Sequence, residues 1–296
     1  MLLLLTSSGD GTSDRIAERL GDEVFRYNFD QVQEFKACLG VDGWEIVNPV
    51  GRTISSATAR TVFWWKAFAV NSEHIDKMVI SERKYVFSEL YNWFEDGGAI
   101  KGNSPRFHDR FGKIRILSKA KEYFKIPKTI YSYALLGESL VPRNNRVTKT
   151  LSSALTSDGM ALFTTDVSGK NLSPEYPWFL QEKISSRFDV TCVLIGKNVF
   201  SFSRERANLK GLDWRAEQKF DVNVEEWTPF ELSVENTDRL LGLSAELGVQ
   251  WGRYDFMLND ADELVFLEFN ANGQFVFLDY WDKFGIMDAV ISYLRN

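Results

Sequence analysis

The feature that most limits what this chain can fold into is a pair of polar side chains inside an apolar run. Leu264-Val265-Phe266-Leu267 leads into Glu268-Phe269-Asn270, and Phe275-Val276-Phe277-Leu278 follows Ala271-Asn272-Gly273-Gln274. On a strand, alternate residues share a face, so Glu268 and Asn270 point the same way out of an otherwise buried element. A carboxylate buried without a partner is costly, so a cation should lie nearby. By itself the run also fits an edge strand with a wet polar face.

The segment upstream decides between these readings. Trp251-Gly252-Arg253-Tyr254-Asp255-Phe256-Met257-Leu258 has the pattern of a second strand, and Asn259-Asp260-Ala261-Asp262-Glu263 that of a polar turn. A hairpin folded about Ala261 and Asp262 sets residue 255 opposite residue 268. Asp255, Glu268 and Asn270 then form an all-oxygen cluster, a ligand set suited to Mg²⁺ shared with substrate phosphates.

Composition removes several function classes. The net charge of −6 over 296 residues argues against a general nucleic-acid surface. No stretch approaches the ~20 apolar residues of a membrane span, and Met1–Leu5 is too short and lacks the basic flank of a signal peptide. Cys38 and Cys192 make no metal-ligand pattern, and a reduced, cytoplasmic protein is the simplest account. His74 and His108, the only histidines, read as surface residues and leave little room for a histidine-based site.

The rest of the chain reads as one to three α/β subdomains. Residues 2–6, the Ser7–Asp14 loop and a helix carrying Ile16, Ala17 and Leu20 form a βα unit. The loop has neither Walker nor Gly-x-Gly-x-x-Gly spacing, so a plain turn with a Thr12 or Ser13 cap is expected. Strands follow at 23–28, 44–48, 52–54 and 61–65, with a helix over 81–96. Asn103-Ser104-Pro105 marks a boundary. Beyond it Lys113 opens a helix whose apolar stripe is Ile114, Leu117, Ala120 and Tyr123.

Lys149 lies in a β-prone run, 146–151. Such a lysine is usually exposed; it can also serve a phosphate as a point charge. Ser157-Asp158-Gly159 is a turn before a strand at 160–165. Strands at 178–184, 188–195 and 199–204 precede a segment concentrating Arg204, Arg206 and Arg215. That segment is either a solvated loop or a phosphate or carboxylate clamp. An amphipathic helix over 233–247 leads into the hairpin.

The order of these features resembles the ATP-grasp superfamily of carboxylate-activating ligases. Lys113 stands fourteen residues before Pro127, Lys149 follows, Gln181-Glu182-Lys183-Ile184 looks like an adenine hinge, and the acidic hairpin completes the order. Glu268-Phe269-Asn270-Ala271-Asn272-Gly273-Gln274 resembles the Glu-x-Asn-Pro-x-Gly-Gln signature of graspetide synthetases, which make microviridin-type ω-ester and ω-amide cyclic peptides. Asp213-Trp214-Arg215 is similar to that family, and Ser7–Thr12 with Phe25-Arg26-Tyr27-Asn28 to its grasp-with-spasm branch. Two departures stand out. Ala271 replaces the usual proline, and Asp189-Val190-Thr191 stands where many relatives have Asp-x-Arg, whose arginine helps hold substrate.

The resemblance implies an α/β, ATP-grasp architecture with three parts. These are a pre-ATP-grasp domain over 1–105, a small central α+β subdomain over 106–181 and a C-terminal antiparallel-sheet subdomain over 182–296. It implies ATP and Mg²⁺ as cofactors, with Lys113, Lys149, Glu182, Lys183, Ile184 and Asp189 at the nucleotide. Asp255, Glu268 and Asn270 would hold the metal, and Arg204, Arg206 and Arg215 would supply the catalytic arginine. The partner implied is a precursor peptide with leader and core, with no nucleic acid or membrane, and a homodimer is compatible. The activity implied is ATP-dependent closure of ω-ester or ω-amide rings through an acyl phosphate. A glutamate-ligase-like enzyme joining separate molecules and a non-catalytic nucleotide- or peptide-binding protein are the alternatives.

Overall fold

Leu2–Thr6 (β1) is apolar at nearly every position, as a strand covered on both faces must be, and all five residues are buried in the computed structural model. The structure describes residues 1–67, 76–95, 99–150, 163–207, 212 and 227–296. The chain divides into two compact units, 1–106 with 281–296, and 107–280.

In the first unit β1 is followed by helix α1 (Gly11–Leu20), then strand β2 (Val24–Asn28) and strands β3 (Lys36–Gly40), β4 (Gly43–Val47) and β5 (Thr53–Ser55). Strands β6 (Thr61–Trp64) and β7 (Ile100–Lys101) flank helix α2 (Lys77–Asn92). The parallel sheet runs β2-β1-β6-β7, and β3-β4-β5 form a separate antiparallel sheet. The edge strand β3, exposed throughout, has no apolar alternation and carries no sequence signal. Helix α2 starts at 77 rather than 81 because Asp76 caps it, accepting the Met78 N–H at 2.7 Å.

The second unit opens with the short helix α3 (Phe107–Arg110) and helix α4 (Lys113–Ala120). Its small sheet has the order β10-β9-β11-β8, from β8 (Thr129–Ser132), β9 (Arg146–Thr148), β10 (Thr165–Asp166) and β11 (Trp178–Glu182). Strand β9 ends at Thr148, so Lys149 lies just past the strand rather than inside it. The larger antiparallel sheet has the order β14-β13-β12-β15-β16. It comprises β12 (Ser186–Ile195), β13 (Asn198–Glu205), β14 (Thr228–Pro229), β15 (Trp251–Asn259) and β16 (Leu264–Asn270).

Helix α4 and helix α5 (Val234–Leu247) cover one face of that sheet. Val190, Cys192, Tyr254, Phe256, Phe266 and Phe269 pack there against Leu117, Ala120, Leu240 and Leu243. The buried stripe of α4 is Ile116, Leu117 and Ala120; Ile114, expected in it, is exposed. The alternate side chains of β12, β15 and β16 project from the opposite face, and the polar cluster lies on it. The C-terminal helix α6 (Ile286–Arg295) belongs to the first unit, where Arg295 pairs with Glu23 at 2.5 Å. No helix among the described residues is long and apolar enough to cross a membrane.

Candidate active site

The expected pairing of Asp255 with Glu268 is present, although by a different route. Near the turn the ladder joins Leu258 to Leu264, Met257 to Val265 and Phe256 to Phe266, whereas beyond it Asp255 joins Glu268. Leu267 is therefore an extra residue, a bulge. The turn is centred on Ala261 rather than between Ala261 and Asp262. Asp262 takes φ +58° after a hydrogen bond from its N–H to the Asn259 carbonyl, the geometry of a three-residue hairpin loop. Without the bulge, Glu268 would sit opposite Tyr254 and face the core. A one-residue slip turns every following side chain to the other face, and here it puts Glu268 and Asn270 beside Asp255 while Phe266 and Phe269 stay inside.

Two glycines make room for this. A Cβ on Gly252, at φ +141°, would lie 2.4 Å from the Phe269 ring, and one on Gly273 would lie 2.7 Å from the Arg253 Cβ. Larger residues at either place would push the strand ends apart.

Each oxygen of Asp255 accepts two donors. Oδ1 takes the Thr191 hydroxyl at 2.8 Å and Arg253 Nε at 3.1 Å; Oδ2 takes Asn270 Nδ2 at 2.8 Å and Arg253 Nη2 at 3.1 Å. Glu268 accepts Asn270 Nδ2 at 3.3 Å through Oε1. Its Oε2 lies 3.3 Å from Lys149 Nζ and 3.8 Å from Lys113 Nζ. Lys149 also sits 5.5 Å over the Phe179 ring, and Lys113 donates to the Thr150 carbonyl at 3.0 Å. Two carboxylates thus stand among three basic side chains, Lys113, Lys149 and Arg253. Lys113 occupies the first turn of α4, where a positive charge opposes the helix dipole; helix stability does not account for it, whereas the charge of Glu268 does.

The donor set fits Mg²⁺: two carboxylates and one amide, all hard oxygen ligands, with the amide oxygen brought in by a half-turn of Asn270. Among the described residues no three His, Cys, Asp or Glu side chains gather as a metal site, so the amide is needed to complete this one. The lysines hold Glu268 in this arrangement and Asn270 Nδ2 holds one lone pair of Asp255, so a metal would displace the lysines and the turned amide while Arg253 stays on Asp255.

The hinge residues border a cleft of about 420 Å³ lined by Glu182, Lys183, Ile184 and Ser185 on one side and Lys125, Asn259, Asp260 and Val265 on the other. Lys183 N–H donates to the Asn145 carbonyl at 3.1 Å, and its own carbonyl accepts Asn145 Nδ2 at 2.9 Å. Its backbone is therefore occupied by Asn145. The Lys183 ammonium reaches Asp166 at 3.0 Å. With the Ser168 hydroxyl and N–H leading, these donors hold the Asp166 carboxyl down to about 2.

The arginines separate. Arg206 Nη1 donates to Asp189 Oδ1 at 2.6 Å and its Nη2 to the Leu212 carbonyl at 3.2 Å. Burial pushes the Asp189 carboxyl up, against the pull of Arg206, and its Oδ2 is buried with no hydrogen-bond donor among the described residues. Arg204 is buried beside Asp189 in the β12–β13 ladder. Arg187 turns outward to Asp262. Arg215, its neighbours Asp213 and Trp214, and the 157–159 turn lie outside the described residues, as does His74. The sequence reading missed Arg253 and the Thr191 hydroxyl as partners of Asp255. Both could have been found by alternation, since 253 shares a strand face with 255, and 191 with 189.

Neither a protein-family model nor a curated protein matches the chain. Solved structures do. Macrocyclase MdnC of Microcystis aeruginosa MRC, bound with its precursor peptide MdnA, superposes with a TM-score of 0.83 at 20% identity, over 100% of this chain and 99% of that one. A RiPP-associated ATP-grasp ligase of Chryseobacterium gregarium, in complex with ADP and a leader and core peptide, gives 0.80 at 21% identity, over 99% and 95%. The chain has the ATP-grasp ligase fold. ATP-grasp ligase PsnB, complexed with a phosphomimetic precursor variant, Mg and ADP, gives 0.74 at 16% identity over 99% and 97%. Within the ATP-grasp fold, sheet β12–β16 and the hinge carry the cluster and the cleft described above.

Proposed function

We propose that this chain is an ATP-dependent ligase that activates side-chain carboxylates of a ribosomal precursor peptide and closes ω-ester or ω-amide rings. The observation that carries this reading is the convergence of Asp255, Glu268 and Asn270 with Lys113 and Lys149 on one face of one sheet. The precursor complexes of MdnC, the Chryseobacterium ligase and PsnB support the peptide as partner.

Asp255, Glu268 and Asn270 would hold Mg²⁺, which when bound with the nucleotide offsets the charge of its phosphates. Lys113 and Lys149, released from Glu268, neutralise phosphate oxygens as compact point charges. Glu182 and the Ile184 backbone orient the adenine edge in the hinge cleft. Asp189 belongs to the same site, positioned by Arg206, with Arg204 and Arg215 in the same segment as further candidates to steady the transferred group. A peptide Asp or Glu carboxylate attacks the γ-phosphorus, giving an acyl phosphate and ADP. A Ser or Thr hydroxyl or Lys amine of the same peptide then attacks the acyl carbon; phosphate leaves and the nucleophile's proton goes to solvent. Positioning and charge neutralisation, rather than covalent work by the protein, carry the rate. A cytoplasmic site supplies the ATP.

The test is incubation with ATP, Mg²⁺ and a peptide rich in Thr, Ser, Glu and Asp encoded beside this chain, followed by mass spectrometry. Loss of one water per ring within a single peptide, abolished by Glu268→Gln, is expected. Addition of an amino acid instead would make the enzyme an intermolecular ligase, and absence of ADP formation with every acidic peptide would make it a binding protein.

A further inference from the structure

Arg253 has no role in the reading above, yet its guanidinium sits at the centre of the cluster. Nε and Nη2 fork Asp255, each at 3.1 Å, and Nη1 donates to the Gln274 carbonyl at 2.8 Å. The group lies 5.8 Å over the Phe277 ring, and its side chain is 13% exposed. A guanidinium is always charged and has more donors than these three bonds consume. One N–H on Nη1 and one on Nη2 remain, and neither meets an acceptor among the described residues.

The surroundings restrict what can satisfy them. Asp255 already accepts two donors on each oxygen. Glu268 faces Lys113, Lys149 and Asn270. Two other arginines placed on or near this sheet face are committed elsewhere, Arg206 to Asp189 and Arg187 to Asp262, and Arg204 is buried beside Asp189. The Asp255 fork, Gln274 and the Phe277 ring fix the guanidinium plane from three sides. A planar pair of N–H groups matches the two oxygens of a carboxylate, whereas compact ammonium groups serve phosphate as point charges. The cluster supplies both kinds of cation, side by side.

We propose that Arg253 binds and orients the substrate carboxylate about to be activated. Asp255 and Thr191 act as the brace that holds its fork in place. The inference rests on the ligase reading and adds to it the residue that selects an acidic side chain. It also gives Thr191 a purpose, because an arginine at 191 would compete with Arg253 for Asp255, while a threonine hydroxyl steadies the carboxylate from the other side.

Glutarate, the free equivalent of a glutamate side chain, serves as the probe, with glutaramide as its uncharged counterpart. Thermal shifts are measured on the whole chain with saturating ADP and Mg²⁺. The wild type should be stabilised further by glutarate and not by glutaramide. Arg253→Lys keeps the charge beside Asp255 and loses the fork. Its response to ADP and Mg²⁺ should persist, while its glutarate affinity falls about tenfold or more, the worth of one charge-assisted hydrogen bond. Adding Thr191→Arg to Arg253→Lys should restore part of that affinity. A wild type indifferent to glutarate, or an Arg253→Lys variant with undiminished glutarate affinity, overturns the assignment. A wild type indifferent to ADP and Mg²⁺ overturns the nucleotide-site reading instead, whatever glutarate does.

Discussion

Two clusters of charged and hydroxylic side chains lie at strand ends in this molecule, one in each compact unit, and they are built on opposite principles. At the end of β1, Asp10 Oδ1 accepts the Ser13 N–H at 2.8 Å, the Ser13 hydroxyl at 3.0 Å and the Trp65 indole N–H at 2.9 Å. Asp30 takes the Ser8 N–H at 2.8 Å and its hydroxyl. Arg26 spreads its fork over Asp14, Asn28 and the carbonyls of Ser7 and Ser8. These bonds tie a loop to a helix and to the neighbouring strands. At the β15–β16 hairpin, by contrast, three cations crowd two carboxylates, and Arg253 keeps donors in reserve. A cluster that cross-links its own loop stabilises the fold; one with surplus charge of one sign is arranged for something else to arrive.

Glu268→Gln is the sharpest way to break this comparison. It should lower ring formation by at least about a hundredfold, the scale of losing one electrostatic group in an active site. The melting temperature should move little, because Glu268 is partly exposed and its ion pairs are long. Steady-state kinetics beside a thermal melt checks both halves; near-normal turnover would remove Glu268 from the site.

Asp10→Ala should do the reverse. It removes the cap of α1 and leaves the buried Trp65 N–H without this acceptor, a loss of about 2–3 kcal/mol in unfolding free energy. Turnover per folded molecule should be unchanged. Urea denaturation measures the first effect, and activity normalised to folded protein the second.

The sequence announced the second cluster much better than the first. Period-two alternation exposed Glu268, Asn270 and Asp255 because polar residues in apolar strands are rare and costly. The bulge at Leu267 was hidden, since nothing in Leu-Glu-Phe-Asn marks which residue is extra; the right pairing followed from a turn placed one half-residue off. Arg253 was overlooked although it shares a strand face with Asp255 two residues on, because an arginine near a strand end reads as solvated. In the Ser7–Asp14 loop a cap was expected from Thr12 or Ser13, but the cap is Asp10, which accepts the Ser13 N–H; Trp65, fifty-five positions from Asp10, could be tied to it only by the parallel pairing of β1 with β6.

Lys149→Ala probes the surplus cations singly. Its loss should raise the KM for ATP about tenfold, as expected for one charge-assisted phosphate contact, with a smaller fall in kcat. Lys149 lies past the end of β9, so the strand should survive and the circular dichroism spectrum should not change. Unaltered nucleotide affinity would assign Lys149 to Glu268 alone.

The smallest effect concerns a carboxylate of the structural kind placed in the second unit. Asp166, held by Ser168 and Lys183, has its carboxyl lowered from 3.8 to about 2. A carboxyl that is more acidic when folded adds stability that is complete above its unfolded value and is lost as pH falls through the folded one. Between 3.8 and about 2, therefore, the wild type should lose a little stability that Asp166→Asn does not. The group is partly exposed, so solvent screening keeps the difference small. Denaturation curves of both proteins across that interval, fitted with a common m-value, measure it. Parallel curves would mean that Lys183 at the hinge is held by its backbone bonds to Asn145 and not by Asp166.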